Sequence, residues 1–142
     1  MGTSTLAVRR GGTADLEAIR AIQNASSEAA QWEVSEYLQY DLRVAERAGR
    51  VAGFLVSRTL APGECEILNL AVAPECRRKG VAHALVRACL GELSGDIILE
   101  VRASNEAAQK FYKSVGFQEV TIRSQYYSSP VESAIVMKFH SC

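Results

Sequence analysis

The chain lacks any apolar run approaching the roughly 20 residues that a bilayer-spanning helix needs, so no membrane partner is expected. It lacks an excess of either charge: Lys and Arg total 16, Asp and Glu total 16, and the formal net charge is zero. Proteins built to coat nucleic acid carry a basic surplus, so no nucleic-acid partner is expected. Histidine is scarce, with only two, His83 and His140. The four cysteines, Cys65, Cys76, Cys89 and Cys142, form no Cys-x-x-Cys pair and no zinc spacing. No metal is therefore expected, and the simplest reading of the thiols is that they stay free in a reducing cytoplasm. Residues 1–10 lack the apolar centre of a signal peptide, which again points to the cytoplasm. Internal repeats, low-complexity tracts and linkers are also missing, so residues 1–142 are expected to form a single domain.

What is present is an ordinary globular balance, 48% hydrophobic and 23% charged. Apolar and β-compatible runs predict strands over 6–10, 42–48, 51–59, 65–72, 97–102, 117–123 and 134–139. Thr13 is the expected N-cap of a first helix carrying Leu16, Ile19 and Ile22, with Asp15 favourable in its first turn. A short second helix is predicted near 35–40. A third opens at Gly80 and runs through Leu85, Val86, Cys89 and Leu93. Ser104 is the expected N-cap of a fourth, through Phe111, Tyr112 and Val115, with Gly116 taking the left-handed position after its end. A polar loop over 124–133 is predicted to carry Tyr126 and Tyr127. The order β-α-α-β-β-β-α-β-α-β-β describes a mixed α/β sheet flanked by helices.

The most informative segment runs from the strand end Leu70-Ala71-Val72 through Pro74 into Arg77-Arg78-Lys79-Gly80-Val81-Ala82. The first amides of a helix have no partner inside it and, with the helix dipole, attract an anion. Gly80 admits a bulky group close to the backbone, Ala82 keeps the next position small, and three cations stand at the mouth. That chemistry suits a diphosphate. Neither a Walker loop nor a Gly-x-Gly-x-x-Gly fingerprint is present. The competing reading is a solvated basic loop ahead of a surface helix.

Arg77 to Ala82 meets the Gln/Arg-x-x-Gly-x-Gly/Ala signature of the GNAT family of N-acetyltransferases. A second block, from Asn105 through Ala108 and Tyr112 to Gly116-Phe117, resembles that family's Asn-x-x-Ala-x-x-x-Tyr-x-x-x-Gly-Phe. The resemblance covers nearly the whole chain. It implies a mostly antiparallel sheet whose fourth and fifth strands splay apart to admit acetyl-CoA, the co-substrate. Backbone groups of Leu70, Ala71 and Val72 would pair with the pantetheine, the turn Arg77, Arg78, Lys79, Gly80, Val81 and Ala82 would hold the diphosphate, and Asn105 would reach the pantetheine. The bland alternatives are core packing for the strand residues and helix capping for Asn105.

An amine attacks a thioester only when neutral, and a peptide α-amine (pKa ~8) yields its proton more readily than lysine (~10.4). A base near the amine and an acid near the sulfur are therefore expected. Glu100 interrupts the apolar strand Ile97-Ile98-Leu99-Glu100-Val101 and is the candidate base; a salt bridge with Arg102 is its structural alternative. Tyr112, at the family's tyrosine position, is the candidate acid, with core packing as its alternative. The strings 99–105 and 122–127 resemble the ribosomal-protein alanine N-acetyltransferase subgroup, whose namesake substrate is ribosomal protein S18. That resemblance implies transfer to a protein N-terminal α-amine by direct attack in a ternary complex. Trp32, Tyr37, Tyr126 and Tyr127 would then hold the peptide. Acetylation of a small amine or a lysine side chain is the rival activity, and a non-catalytic acyl-CoA-binding sensor the rival class.

Overall fold

A computed structural model of the protein describes residues 5–26, 31–92, 95–128 and 131–140. Its strands are β1 (Leu6–Arg10), β2 (Asp41–Arg47), β3 (Arg50–Ala61), β4 (Glu64–Val72), β5 (Asp96–Arg102), β6 (Gln118–Ser128) and β7 (Val131–His140). Its α-helices are α1 (Leu16–Asn24), α2 (Val81–Glu92) and α3 (Glu106–Ser114), with 3-10 segments at Thr13–Asp15, Val34–Gln39 and Pro74–Cys76. The sheet has the order β1-β2-β3-β4-β5-β7-β6. The pairs β1–β2, β2–β3, β5–β7 and β6–β7 are antiparallel. The pair β4–β5 is parallel, and the crossover connection that such a pair requires carries α2. This is the mixed, mostly antiparallel α/β fold expected from the sequence. The parallel ladder runs only from Glu64–Asp96 to Ile67–Leu99, whereas β4 continues to Val72.

The chain divides into two compact units, Met1–Arg58 with Leu68–Glu92, and Thr59–Ile67 with Leu93–Cys142. In the first, α1 buries Ile19 and Ile22 in a cluster with Val34, Tyr37, Val44 and Phe54. Glycine is required at position 53. A Cβ there would lie 2.9 Å from the Ala71 carbonyl oxygen and 2.9 Å from Val81, so any side chain would push α2 off the sheet. In the second unit Phe117 packs tilted on Phe139 at 5.6 Å and edge-on to Tyr112 at 5.4 Å, beside buried Ile97, Leu99 and Met137. Gly116 takes φ 106, the left-handed turn expected after α3.

Four local expectations need correction. Thr13 is not an N-cap; it starts the 3-10 turn, and Gly12 stands before it. The Asp15 carboxylate reaches back to accept from the Gly12 N–H at 2.9 Å and from the Arg9 guanidinium at 2.8 and 2.9 Å. The segment Val34–Gln39 is a 3-10 rather than an α-helix, and it buries Val34 and Tyr37, which are three residues apart and therefore eclipsed in that helix. Asn105, rather than Ser104, caps α3, its Oδ1 accepting from the Ala108 N–H at 3.1 Å. The loop expected over 124–133 is mostly strand, since β6 runs to Ser128 and β7 begins at Val131. Strand β6 lies at the sheet edge, and its register slips between Arg123 and Tyr127, so the apolar alternation that marks a strand is lost there.

The Arg9 guanidinium holds the Asp15 carboxyl below the usual carboxylate range, burial opposing and the Gly12 amide assisting. A depressed carboxylate stabilises the fold above its unfolded value of ~4 and loses that contribution as pH falls through the folded value. Asp15→Asn is expected to cost about 1–3 kcal/mol at pH 7. In urea melts the gap from wild type should narrow below about pH 4; a gap independent of pH would show that the ion pair contributes nothing.

Among the described residues no helix is long and apolar enough to cross a membrane, and no three His, Cys, Asp or Glu side chains gather as metal ligands would. Cys65, Cys76 and Cys89 form no disulfide; Cys142 lies outside the described residues.

Candidate active site

In the first unit β4 delivers the chain to the 3-10 turn at Pro74, and the backbone then coils into α2. Arg78 has φ 63 and Gly80 φ 80, both left-handed. The bond from the Ala84 N–H to the Gly80 carbonyl, 3.0 Å, begins the helix. The amides of Val81, Ala82 and His83 therefore precede any intrahelical acceptor. Alternation of hand along successive amides is the geometry of an anion-binding concavity. Arg78, Lys79 and Gly80 are exposed, and a Cβ built on Gly80 would meet nothing within 4 Å. The helix end is thus open, positive and bare, which fits the diphosphate of a coenzyme A. Val81 is a buried core side chain, so only its amide could face a ligand. Arg77 donates weakly, at 3.4 Å, to the Ser26 hydroxyl beyond the end of α1.

Behind β4 lies a polar network that sequence reasoning missed. Asn69 is buried between half-buried Leu68 and Leu70. Its Nδ2 donates to the Tyr37 hydroxyl at 2.9 Å and to Gln23 Oε1 at 3.2 Å, and its Oδ1 accepts from the Leu70 N–H at 3.0 Å. The Tyr37 hydroxyl in turn donates to Gln23 Oε1, and Gln23 Nε2 donates to the Trp32 carbonyl at 2.7 Å. Burial pushes the Tyr37 phenol up, which keeps it a neutral donor. Tyr37 is therefore fully buried, a brace tying α1 and the 3-10 segment to the backbone of β4, with no surface to offer a peptide. Trp32, 41% exposed, does offer one. The Leu70 amide is already engaged by Asn69. A buried asparagine in an apolar strand was the signal that could have revealed the network.

In the second unit Glu100 projects from β5 between buried Leu99 and Val101, its side chain 14% exposed. The expected bridge to Arg102 is not formed. Arg102 binds Glu132 at 3.2 Å, and Glu132 also accepts from the Ser104 N–H at 2.6 Å. Glu100 Oε1 instead meets Arg123 of β6 at 3.1 Å, while its Oε2 is buried with no hydrogen-bond partner. The Arg123 guanidinium carbon also sits 5.2 Å from the Tyr126 ring centroid. Tyr126 is half exposed, yet its phenol is raised above the ordinary tyrosine range by desolvation first, then by the charge of Glu100 and a hydrogen bond to it. Tyr112 is buried, its ring edge-on to Phe111 at 5.2 Å and Phe117 at 5.4 Å. Asn105 serves as a helix cap. The backbone of Tyr127 pairs with Glu132; its side chain lies outside what the structure describes.

An amide-lined helix end for a phosphate and a strand carboxylate with one oxygen unbonded match the parts needed for acyl transfer from coenzyme A. A model of the acetyltransferase (GNAT) family matches residues 15–117. The chain belongs to the GNAT family. That span contains the helix-end cradle, Glu100 and Tyr112 and stops short of Arg123 and Tyr126. Over 107 residues, the GNAT chain is 37% identical to the [ribosomal protein bS18]-alanine N-acetyltransferase of Escherichia coli K12, covering 71% of this chain and 70% of that one. It superposes on the crystal structure of the Escherichia coli ribosomal-protein-S18-alanine N-acetyltransferase with a TM-score of 0.83 at 29% identity, over 97% and 96% of the two chains. It also superposes on Chaetomium thermophilum Naa20, solved with a bisubstrate analogue, at 0.83 and 26% identity, over 95% and 86%. The protein is an acyl-CoA-dependent N-acetyltransferase, and acetyl-CoA is the co-substrate of its family.

Proposed function

We propose that this GNAT enzyme acetylates the α-amine of a protein N-terminus, the alanine of ribosomal protein bS18 first among its substrates, and that residues 1–142 serve as one catalytic domain. The observation that carries the reading is Glu100: a carboxylate in an apolar strand, with one oxygen buried and unbonded, next to the half-exposed Tyr126. The substrate named for the 37%-identical relative supports the choice of amine.

In this reading the helix end from Arg77 to Ala82 holds the diphosphate of acetyl-CoA, and the backbone of Leu70, Ala71 and Val72 orients the pantetheine, with Asn105 assisting beyond its capping role. Leu70 would contribute its carbonyl, its amide being engaged. Glu100 accepts the proton of the incoming ammonium, directly or through one water, and the neutral nitrogen forms its bond to the thioester carbonyl. As the C–S bond breaks, Tyr112 donates its proton to the departing sulfur, and the second proton shed by the acylated nitrogen returns through water to the phenolate. Trp32, Tyr126 and Tyr127 hold the first residues of the peptide, and Tyr37, tilted against the Trp32 ring, supports that residue from within the first unit.

Two peptides beginning Ala-Arg test the substrate class: one with a free N-terminus, one N-terminally blocked and carrying an internal lysine. Mass spectrometry after incubation with acetyl-CoA should find acetyl on the first alone. Faster acetylation of the blocked peptide would establish the lysine reading, and acetyl-CoA binding with no transfer to any amine would establish the sensor.

A further inference from the structure

We propose that Arg123 is an intramolecular stand-in for the substrate's ammonium: in the free enzyme its guanidinium occupies the carboxylate seat of Glu100, and an incoming N-terminus displaces it. The inference rests on the reading above, that Glu100 meets the amine.

The geometry is confined to the second unit. Arg123 pairs with Ala134 in the β6–β7 ladder, Ala134 pairs with Arg102 in the β5–β7 ladder, and Glu100 lies two residues before Arg102 on the same face, so Arg123 meets Glu100 diagonally across β7. It meets Glu100 Oε1 at 3.1 Å. The pair is lopsided, because the Arg123 side chain is 54% exposed and that of Glu100 only 14%. The guanidinium is therefore the removable member, and the carboxylate is part of the wall. An ion pair with one partner so exposed is screened and weak.

The ring beneath the guanidinium strengthens the case. Tyr126, half exposed, carries the cation on its face. Among the described residues, the charges that bear on the Tyr126 hydroxyl are those of Glu100 of β5, Arg123 of β6 and Glu66 of β4, while Arg102, on the same face of β5, is paired with Glu132. Glu66 lies opposite Ile98 in the parallel ladder, two residues before Glu100 and on the same face. A carboxylate and a phenol ring thus flank one guanidinium, and the negative charge of Glu100 and, more weakly, of Glu66 is felt at the Tyr126 hydroxyl. Such a seat accepts a cation of either kind, arginine or ammonium. Only the ammonium can then give up a proton, because a guanidinium stays charged. Arg123 blocks the seat without being able to react in it.

The test uses the full chain with Arg123→Gln and Arg123→Gly. Removing the competing cation should lower KM for the free Ala-Arg peptide three- to tenfold, equivalent to about 0.7–1.4 kcal/mol, with kcat not reduced and KM for acetyl-CoA unchanged. In Arg123→Gly, methylguanidinium chloride should refill the seat and inhibit competitively against the peptide. A fall in kcat with KM unchanged would overturn the proposal and make Arg123 a clamp for Glu100, and a rise in peptide KM would overturn it equally. Should no amine be acetylated, the substrate reading fails on its own. Calorimetric titration of the same peptide into wild type and Arg123→Gln then decides the displacement: tighter binding by the variant supports it, equal or weaker binding overturns it.

Discussion

Gly80→Glu will abolish the stabilisation that acetyl-CoA confers on the wild-type fold. A ligand at a hundredfold excess over its dissociation constant stabilises by about 2.7 kcal/mol, which for a chain of 142 residues is a rise in melting temperature of roughly 10 °C. Gly80 stands at the mouth of α2 with φ 80 and open space before it. A glutamate there sets bulk and a negative charge against a diphosphate. The substitution also strains the backbone, because a left-handed position costs any L-residue about 1 kcal/mol or more. Gly80→Ala carries the same strain without the charge and serves as the control. Both variants should melt below wild type, and only Gly80→Glu should lose the upward shift with acetyl-CoA. A full shift in Gly80→Glu would mean that the phosphates lie elsewhere.

Tyr112→Phe should retain acetyl-CoA binding and lose turnover by about 10²–10⁴-fold, the range of a positioned general acid. The ring of Tyr112 packs edge-on to Phe111 and Phe117, contacts that phenylalanine reproduces. The substitution therefore deletes a hydroxyl and little packing. Glu100→Gln is its counterpart: the amide oxygen can still accept from Arg123, but nothing remains to take the ammonium proton. Rates measured on the free Ala-Arg peptide should fall in both, while the thermal shift with acetyl-CoA survives. Near-wild-type turnover in Tyr112→Phe would leave that residue a core tyrosine, and the same result in Glu100→Gln would remove the base from β5.

Features built from neighbours in the chain were legible in advance. The turn into α2 is one: a strand that ends before Pro74, three cations, a glycine at φ 80 and the first turn of a helix all lie within residues 70–84. The end of α3 is another, with Gly116 in the left-handed region two residues after Ser114. Both depend on steric limits and hydrogen-bond valence over a few adjacent residues, and these carry the same consequences in any tertiary setting.

The partner of Glu100 was of the other kind. Proximity in sequence favoured Arg102, but Arg102 faces Glu132 across the β5–β7 pair, and Arg123 arrives from the edge strand two places away. The same holds for Asn69, Gln23 and Tyr37, whose shared network joins residues 46 and 32 apart in sequence. An aromatic residue chosen for a peptide surface proved fully buried because α1 and β4 each bring it an amide group to bond. By itself the sequence determined the fold class, and it singled out the basic turn into α2, a carboxylate in β5 and a tyrosine in α3 as candidates, because each has a local signature. Only the tertiary structure decided which cation covers the carboxylate and which tyrosine faces solvent. Strand order and register bring those groups together, and no spacing along the chain encodes that pairing.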